Sequence, residues 1–207
     1  MTSAMPRQSI YLGRALLACL ALLAAGAVRA APWTFTVTDG AGKPLENAVV
    51  AVYLNGTDSL APPGTTAEMG QHYRQFAPQL IAVQTGTVVS FPNYDTVRHH
   101  VYSFSPIRPF ELKLYSNQAP KSIQFDKPGT AVLGCNIHDR MLGWVHVVST
   151  PLFTITDASG NARFDLPPGT HRIGAWQAEA LEDGPPVVRE VTVDHDAGVA
   201  TLRLVHP

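Results

Sequence analysis

Short apolar runs separated by turn-forming residues are the feature that most restricts how this chain can fold. The 207 residues include 17 prolines and 16 glycines, which keep the apolar runs after residue 30 short. Segments such as 99–105 and 110–115 alternate in the manner of strands, and no stretch has a sustained helical period. The pattern predicts an all-β fold with many turns.

The N-terminus has the form of a secretory signal peptide. Arg7 and Arg14 precede or border an apolar run at 15–28, whose 14 residues are few for a membrane span. Small residues favour cleavage after Ala30. We therefore expect residues 1–30 to be a signal peptide and the mature chain to be periplasmic; the alternative is a membrane anchor.

Loss of that segment would change the charge and the cysteine count. Three arginines and Cys19 would leave with it, so that 12 basic and 16 acidic side chains remain. No basic stripe is present, which argues against nucleic acid as a partner, and no apolar run after residue 30 is long enough to span a membrane. Cys135 would be the one remaining thiol. It is either a buried residue that only packs in the core or a residue with a chemical role.

The residues around Cys135 favour a chemical role for this thiol. Cys135, His138 and Met141 follow one another at intervals of three. A thiolate, an imidazole and a thioether form a soft ligand set that suits copper, and the trigonal copper sites of electron-transfer proteins use one further histidine. His99 and His100 are the candidates. Because consecutive residues of a strand point to opposite faces, at most one of them can face such a site.

A longer set of spaced residues surrounds these candidates. It comprises Phe76, Pro78, Val83, Gly86, Val89, Phe91 and Asn93 before the paired histidines, Val101 directly after them, and Gly143, Val145 and Val147 after the cysteine loop. In this respect residues 75–149 resemble a cupredoxin of the amicyanin and plastocyanin kind. The short Cys-x-x-His-x-x-Met loop is similar to that of amicyanin. The whole chain also resembles a group of exported proteins labelled methylamine utilisation proteins.

The resemblance implies a specific ligand set and its supporting residues. It implies one type 1 copper per chain, held by His99, Cys135, His138 and Met141, with Asn93 and His100 next to these ligands. It favours His99 over His100, which stands where relatives carry an asparagine that ties the ligand loops together. We expect the His100 ring to point away from the metal and to support the Cys135 loop by a hydrogen bond.

Two functions are compatible with such a site. The first is outer-sphere transfer of single electrons between redox partner proteins. The second is copper binding or handling without electron transfer. An enzyme is not expected, because no nucleophile–base pair is evident. A binuclear copper site would need a second cysteine in the loop, a zinc site would more often use several cysteines or histidines, and a multicopper oxidase would need His-x-His pairs.

The segments on either side of the cupredoxin-like region carry a second resemblance. The sequences VTDGAGKPLENAVVAV (37–52) and TDASGNARFDLPPGTHRI (156–173) are similar to the two halves of a transthyretin-like, carboxypeptidase-regulatory type of β-sandwich. We expect residues 31–58 and 150–207 to form one such sandwich, with a Greek-key cupredoxin domain at 67–149 inserted between its halves. The alternative is two sandwiches that follow one another along the chain.

Overall fold

The computed structural model describes residues 29–116, 121–181 and 185–205. In these ranges the protein is built almost entirely of β-strands, which confirms the predicted fold class. The strands are β1 (Ala31–Thr38), β2 (Val49–Tyr53), β3 (Thr66–Glu68), β4 (Gly70–His72), β5 (Gln75–Ala77), β6 (Leu80–Gln84), β7 (Val88–Phe91), β8 (His99–Ser103), β9 (Phe110–Tyr115), β10 (Lys121–Gln124), β11 (Gly129–Gly134), β12 (Leu142–Val148), β13 (Leu152–Ile155), β14 (Asn161–Leu166), β15 (Gly169–Trp176), β16 (Val187–Val193) and β17 (Gly198–Arg203). Helical elements of these ranges are a 3₁₀ turn at Leu54–Gly56 and one short helix, α1 (Ala178–Leu181).

Nearly all of the expected signal peptide, residues 1–28, lies outside the described residues. Within the described ranges, the structure contains no helix with the length and apolar character needed to cross a membrane.

The middle of the chain forms a two-sheet unit, named here the central sandwich. One sheet has the order β6-β12-β11-β8-β9 and the other has the order β10-β7-β3. Alternating residues of both sheets, such as Val89, Phe91, Leu133 and Val145, are fully buried in one apolar core. The β4–β5 hairpin (70–77) lies beside this unit, and its residue Gln71 forms a bridge to Asn93.

Strands from both ends of the described chain form the second unit, named here the flanking sandwich. β1 lies between β14 and β17, and pairs antiparallel with the former and parallel with the latter. β2 lies between β13 and β15, and β16 extends that sheet. The two sheets enclose their own core, whose largest fully buried side chains include Phe35, Leu166 and Trp176. Strands from the 31–53 segment therefore pair with strands from the 152–203 segment.

The two sandwiches meet along one side of β6 and β12. Leu80, Ala82 and Trp144 of the central sandwich pack against the core of the flanking sandwich. His146 of β12 stacks on the Trp176 ring, with 4.5 Å between ring centroids and an interplanar angle of 11°. We call this contact region the junction.

Candidate metal centre

The loop between β11 and β12 carries three of the four predicted ligands. Cys135 directly follows β11, and the loop then makes two consecutive tight turns before β12 begins. The N–H of His138 donates to the Cys135 carbonyl at 3.4 Å, and the N–H of Met141 donates to the His138 carbonyl at 2.9 Å. The spacing of three residues thus corresponds to one turn between each pair of predicted ligands.

The cysteine end of this loop lies close to the neighbouring strand β8. Gly134 pairs with Tyr102 of β8, and a Cβ atom on Gly134 would lie 2.6 Å from the Tyr102 hydroxyl. Only a glycine fits this contact without a shift of the tyrosine ring. The close approach brings the beginning of β8 next to the beginning of the loop.

His99, the first residue of β8, meets the loop residues at this point. The ligand atoms of His99, Cys135 and His138 all lie within 4.8 Å of one another. The Cys135 Sγ and the His138 Nδ1 are 3.6 Å apart, and the ring centroids of His99 and His138 are 4.9 Å apart. His99 is fully buried, Cys135 is buried, and His138 is partly buried.

The two ring nitrogens of His99 have different surroundings. Its Nε2 lies 2.7 Å from the Asp95 Oδ2, whereas its Nδ1 is buried without a hydrogen-bond partner among the described residues. A buried polar atom without a partner is costly, and coordination of a metal would remove that cost. A thiol and two imidazoles with converging ligand atoms fit a soft or borderline transition metal such as copper.

Met141, the fourth predicted ligand, ends the same loop. Its side chain is buried and belongs to the apolar core of the central sandwich together with Cys135. The Met141 thioether and the Cys135 thiol are therefore buried in the same apolar core.

His100 differs from its expected role as a support of the Cys135 loop. Its Nε2 lies 2.8 Å from the Glu111 Oε1 of β9, and its Nδ1 has no hydrogen-bond partner among the described residues. The ring also lies 5.8 Å from the Tyr102 ring, measured between centroids. The physical reason is its place on the strand: His99 faces the Cys135 loop, whereas His100 lies at an irregularity in the β8–β9 pairing and contacts the carboxylate of the adjacent edge strand.

Asn93, the other predicted supporting residue, organises the segment before His99. Its Nδ2 donates to the carbonyls of Val97 and Tyr115, both at 2.9 Å, and its Oδ1 accepts the Asp95 N–H at 2.9 Å. Asn93 thus connects the 93–97 turn to the end of β9, which sets the position from which β8 begins.

Asp95 is a site residue that sequence reasoning missed. Its carboxylate accepts the N–H groups of Tyr73 and Arg74 at 2.7 and 2.8 Å in addition to its contact with His99. Burial by itself raises the pKa of Asp95, but the hydrogen bonds from Arg74, His99 and Tyr73 together hold that pKa below its ordinary value. An acidic residue four positions before the predicted ligand was the available signal, although the hairpin that completes the contact lies more than 20 residues away.

His138 is the ligand candidate nearest to solvent. Burial lowers its pKa, with smaller lowering effects from His99 and Arg74 and an opposing effect from Asp95. The neighbouring residue Ile137 is half exposed. The imidazole of His138 is thus favoured in its neutral form, which is the form that binds metals.

Comparison with known proteins gives structural likenesses only. No protein-family model matches the chain, and no curated protein matches it. Among solved structures, the chain is similar to a purple cupredoxin from Nitrosopumilus maritimus, with 20% identity over 39% of this chain and 98% of that one and a TM-score of 0.36. Amicyanin from Paracoccus versutus has 20% identity over 47% and 96% of the two chains and a TM-score of 0.34.

A larger protein is similar over one part of its length. The copper-containing nitrite reductase from Thermus scotoductus has 22% identity and a TM-score of 0.39, and the likeness covers 56% of this chain but 28% of the reductase.

Proposed function

We propose that this protein is a type 1 copper protein that carries single electrons between redox partner proteins. The observation that supports the proposal is the convergence of the His99, Cys135 and His138 ligand atoms within 4.8 Å. Copper held by these three residues, with Met141 as a weaker thioether ligand, would supply a one-electron couple.

The protein's own residues would prepare this site in two ways. Cys135 must give up its proton to act as a ligand, so metal affinity is expected to fall in acid. His99 and His138 must present unprotonated nitrogens. Burial already lowers the pKa of His138, and His99 is anchored at Nε2 by Asp95. Burial therefore favours the neutral, metal-binding form of His138.

The surroundings of the site support electron transfer between proteins. β8 and β11 fix His99 and Cys135 at strand ends, which limits rearrangement when the charge of the site changes. His138 is partly buried beside the exposed residues Ile137 and Asp139. We assign its ring edge as the point where electrons enter and leave, because it offers a short path to a docked partner.

The same proposal includes a location and a domain division. We propose that the chain is exported to the periplasm with cleavage after Ala30. We further propose that 67–149 is a cupredoxin domain and that 31–58 and 150–207 form one transthyretin-like domain around it. The pairing of β1 and β2 with strands that follow the central sandwich supports this division.

Electrochemistry of the copper-loaded protein tests the proposed function. We expect a reversible one-electron wave and rapid electron self-exchange between oxidised and reduced protein. Copper that binds stoichiometrically but exchanges electrons slowly, or that leaves on reduction, would contradict electron transfer and favour copper handling.

A further inference from the structure

We propose that Asp95 is a positioning residue that selects the Nε2-protonated tautomer of His99, and that the tip of the β4–β5 hairpin holds Asp95 in the orientation this requires. The inference rests on the proposed function in so far as it assigns the remaining nitrogen, Nδ1, to the metal. The tautomer itself is a property of the metal-free protein.

The first step of the inference is the placement of one proton. A neutral imidazole donates from one nitrogen and accepts at the other. The Asp95 carboxylate accepts two backbone N–H groups, and its Oδ2 lies 2.7 Å from the His99 Nε2, so an acceptor faces this nitrogen. The proton therefore belongs on Nε2. The lone pair then lies on Nδ1, the nitrogen that is buried without a partner among the described residues.

The second step is the orientation of the carboxylate. Tyr73 and Arg74, between β4 and β5, both adopt left-handed backbone conformations, with φ of 52° and 60°. Neither is a glycine, so this conformation is unfavourable by itself. It directs both backbone N–H groups at Asp95: Tyr73 donates to Oδ1 and Arg74 donates to Oδ2. The hairpin tip and the carboxylate thus stabilise each other.

A third set of contacts fixes Asp95 from its own backbone. Its N–H donates to the Asn93 Oδ1, and the exposed His72 lies near the carboxylate, with 3.8 Å between its Nδ1 and the Asp95 Oδ1. Together these contacts restrict the orientation of the Asp95 carboxylate that bonds His99. A side chain that is held in this way can hold the imidazole plane in turn.

Replacement of Asp95 by asparagine separates positioning from packing. Asparagine has nearly the same shape, but its Nδ2 group donates. At the Oδ1 position this group would oppose the Tyr73 N–H, and at the Oδ2 position it would oppose the Arg74 N–H and a protonated His99 Nε2; only the conflict with His99 is relieved when the His99 proton moves to Nδ1. The remaining amide oxygen is neutral and a weaker acceptor than a carboxylate, so the preference for Nε2 protonation falls in either orientation. Asp39→Asn is the matched control, because Asp39 also accepts two backbone N–H groups, from Ala41 and Lys43, but has no hydrogen bond to a histidine of the described ranges.

The primary measurement is the tautomer of His99 in the metal-free protein, observed through long-range proton–nitrogen correlations of its ring. We expect Nε2 to be protonated in the wild type and in Asp39→Asn, and a shift toward Nδ1 protonation in Asp95→Asn. Because the wild-type spectrum alone gives a result, the inference stays testable if Asp95→Asn does not fold. A wild-type His99 protonated mainly at Nδ1 would overturn the inference.

The second measurement is the affinity for copper alone, determined by competition with a chelator. We expect Asp95→Asn to bind about ten- to a hundred-fold more weakly than the wild type, and Asp39→Asn to match the wild type. Equal affinities of both variants would overturn the inference even if the wild type binds copper as proposed. A wild type that binds no copper would contradict the proposed function, while the tautomer measurement would still decide whether Asp95 positions His99.

Discussion

Two buried histidines of the central sandwich present a useful contrast. His99 at the candidate metal centre and His146 at the junction have the same side chain but different surroundings. At the candidate metal centre, His99 has a buried Nδ1 without a partner among the described residues, beside a thiol and a second imidazole. At the junction, the His146 Nδ1 lies 2.9 Å from the Thr130 hydroxyl, and the ring stacks on Trp176. A buried histidine indicates a site when an unpartnered nitrogen faces other ligand atoms.

The largest expected effect comes from removal of the histidine at the metal centre. His99→Ala takes away one of the three converging candidate ligands, so we expect the intense visible copper–thiolate absorption to disappear. His100→Asn is the control, and should retain the band with a modest shift in potential, since His100 bonds Glu111 instead. Loss of the band in His100→Asn together with its retention in His99→Ala would reverse the ligand assignment.

Truncation at the junction should act on stability and leave the metal centre intact. Trp176 is fully buried and stacks on His146. We expect Trp176→Ala to lower the free energy of unfolding by about 3–5 kcal/mol, measured by denaturant titration of the metal-free protein. The copper band of the folded variant should be unchanged. A variant that loses the band while still folded would show that the junction also shapes the metal centre.

Acid should lower the free energy of unfolding in part through His146, the buried histidine of the junction. Burial lowers the pKa of His146 to about 3 from an ordinary value of 6.5. The unfolded chain therefore takes up a proton below pH 6.5 that the folded chain resists until pH falls to about 3. Across that window the free energy of unfolding should fall by at most ~1.4 kcal/mol per pH unit from this group.

The measurement for this prediction is denaturant unfolding of the metal-free protein from pH 7 to 4.5. His146→Asn, which keeps a polar group near Thr130, should show a shallower loss of stability than the wild type. Identical pH profiles of the two proteins would contradict the assignment of this effect to His146.

The smallest expected effect lies on the far side of β8. Glu111 pairs with His100 but is more than half exposed, and exposed ion pairs contribute little. We expect Glu111→Gln to change the free energy of unfolding by less than about 1 kcal/mol and to leave the copper band in place. A band that changes as much as in His99→Ala would place His100 in the site.

The sequence contained the local parts of this architecture. Strand alternation predicted segments close to β8 and β9, and the spacing of Cys135, His138 and Met141 marked the loop, because these features depend on neighbouring residues. The partners of the histidines were not predictable in this way. The Asp95 contact depends on a hairpin tip at 73–74, and the Glu111 contact depends on which strand pairs with β8; both are set by tertiary packing.

In the flanking sandwich, too, local turns could be predicted from the sequence but long-range strand pairing could not. The motifs at 37–52 and 156–173 contain turn residues such as Asp39 and Asp157, whose carboxylates accept nearby backbone N–H groups. Those turns are local and readable from the sequence. The parallel register of β1 with β17 joins residues more than 160 positions apart, and no local pattern specifies it.

Titration of the metal-free wild-type protein with copper(II) tests the central claim most directly, namely that His99, Cys135 and His138 form one copper site. We expect one equivalent of copper to produce an intense visible thiolate-to-copper band, and Cys135→Ser to bind without that band. A wild type that gives no band, or a Cys135→Ser variant that retains it, would contradict the account.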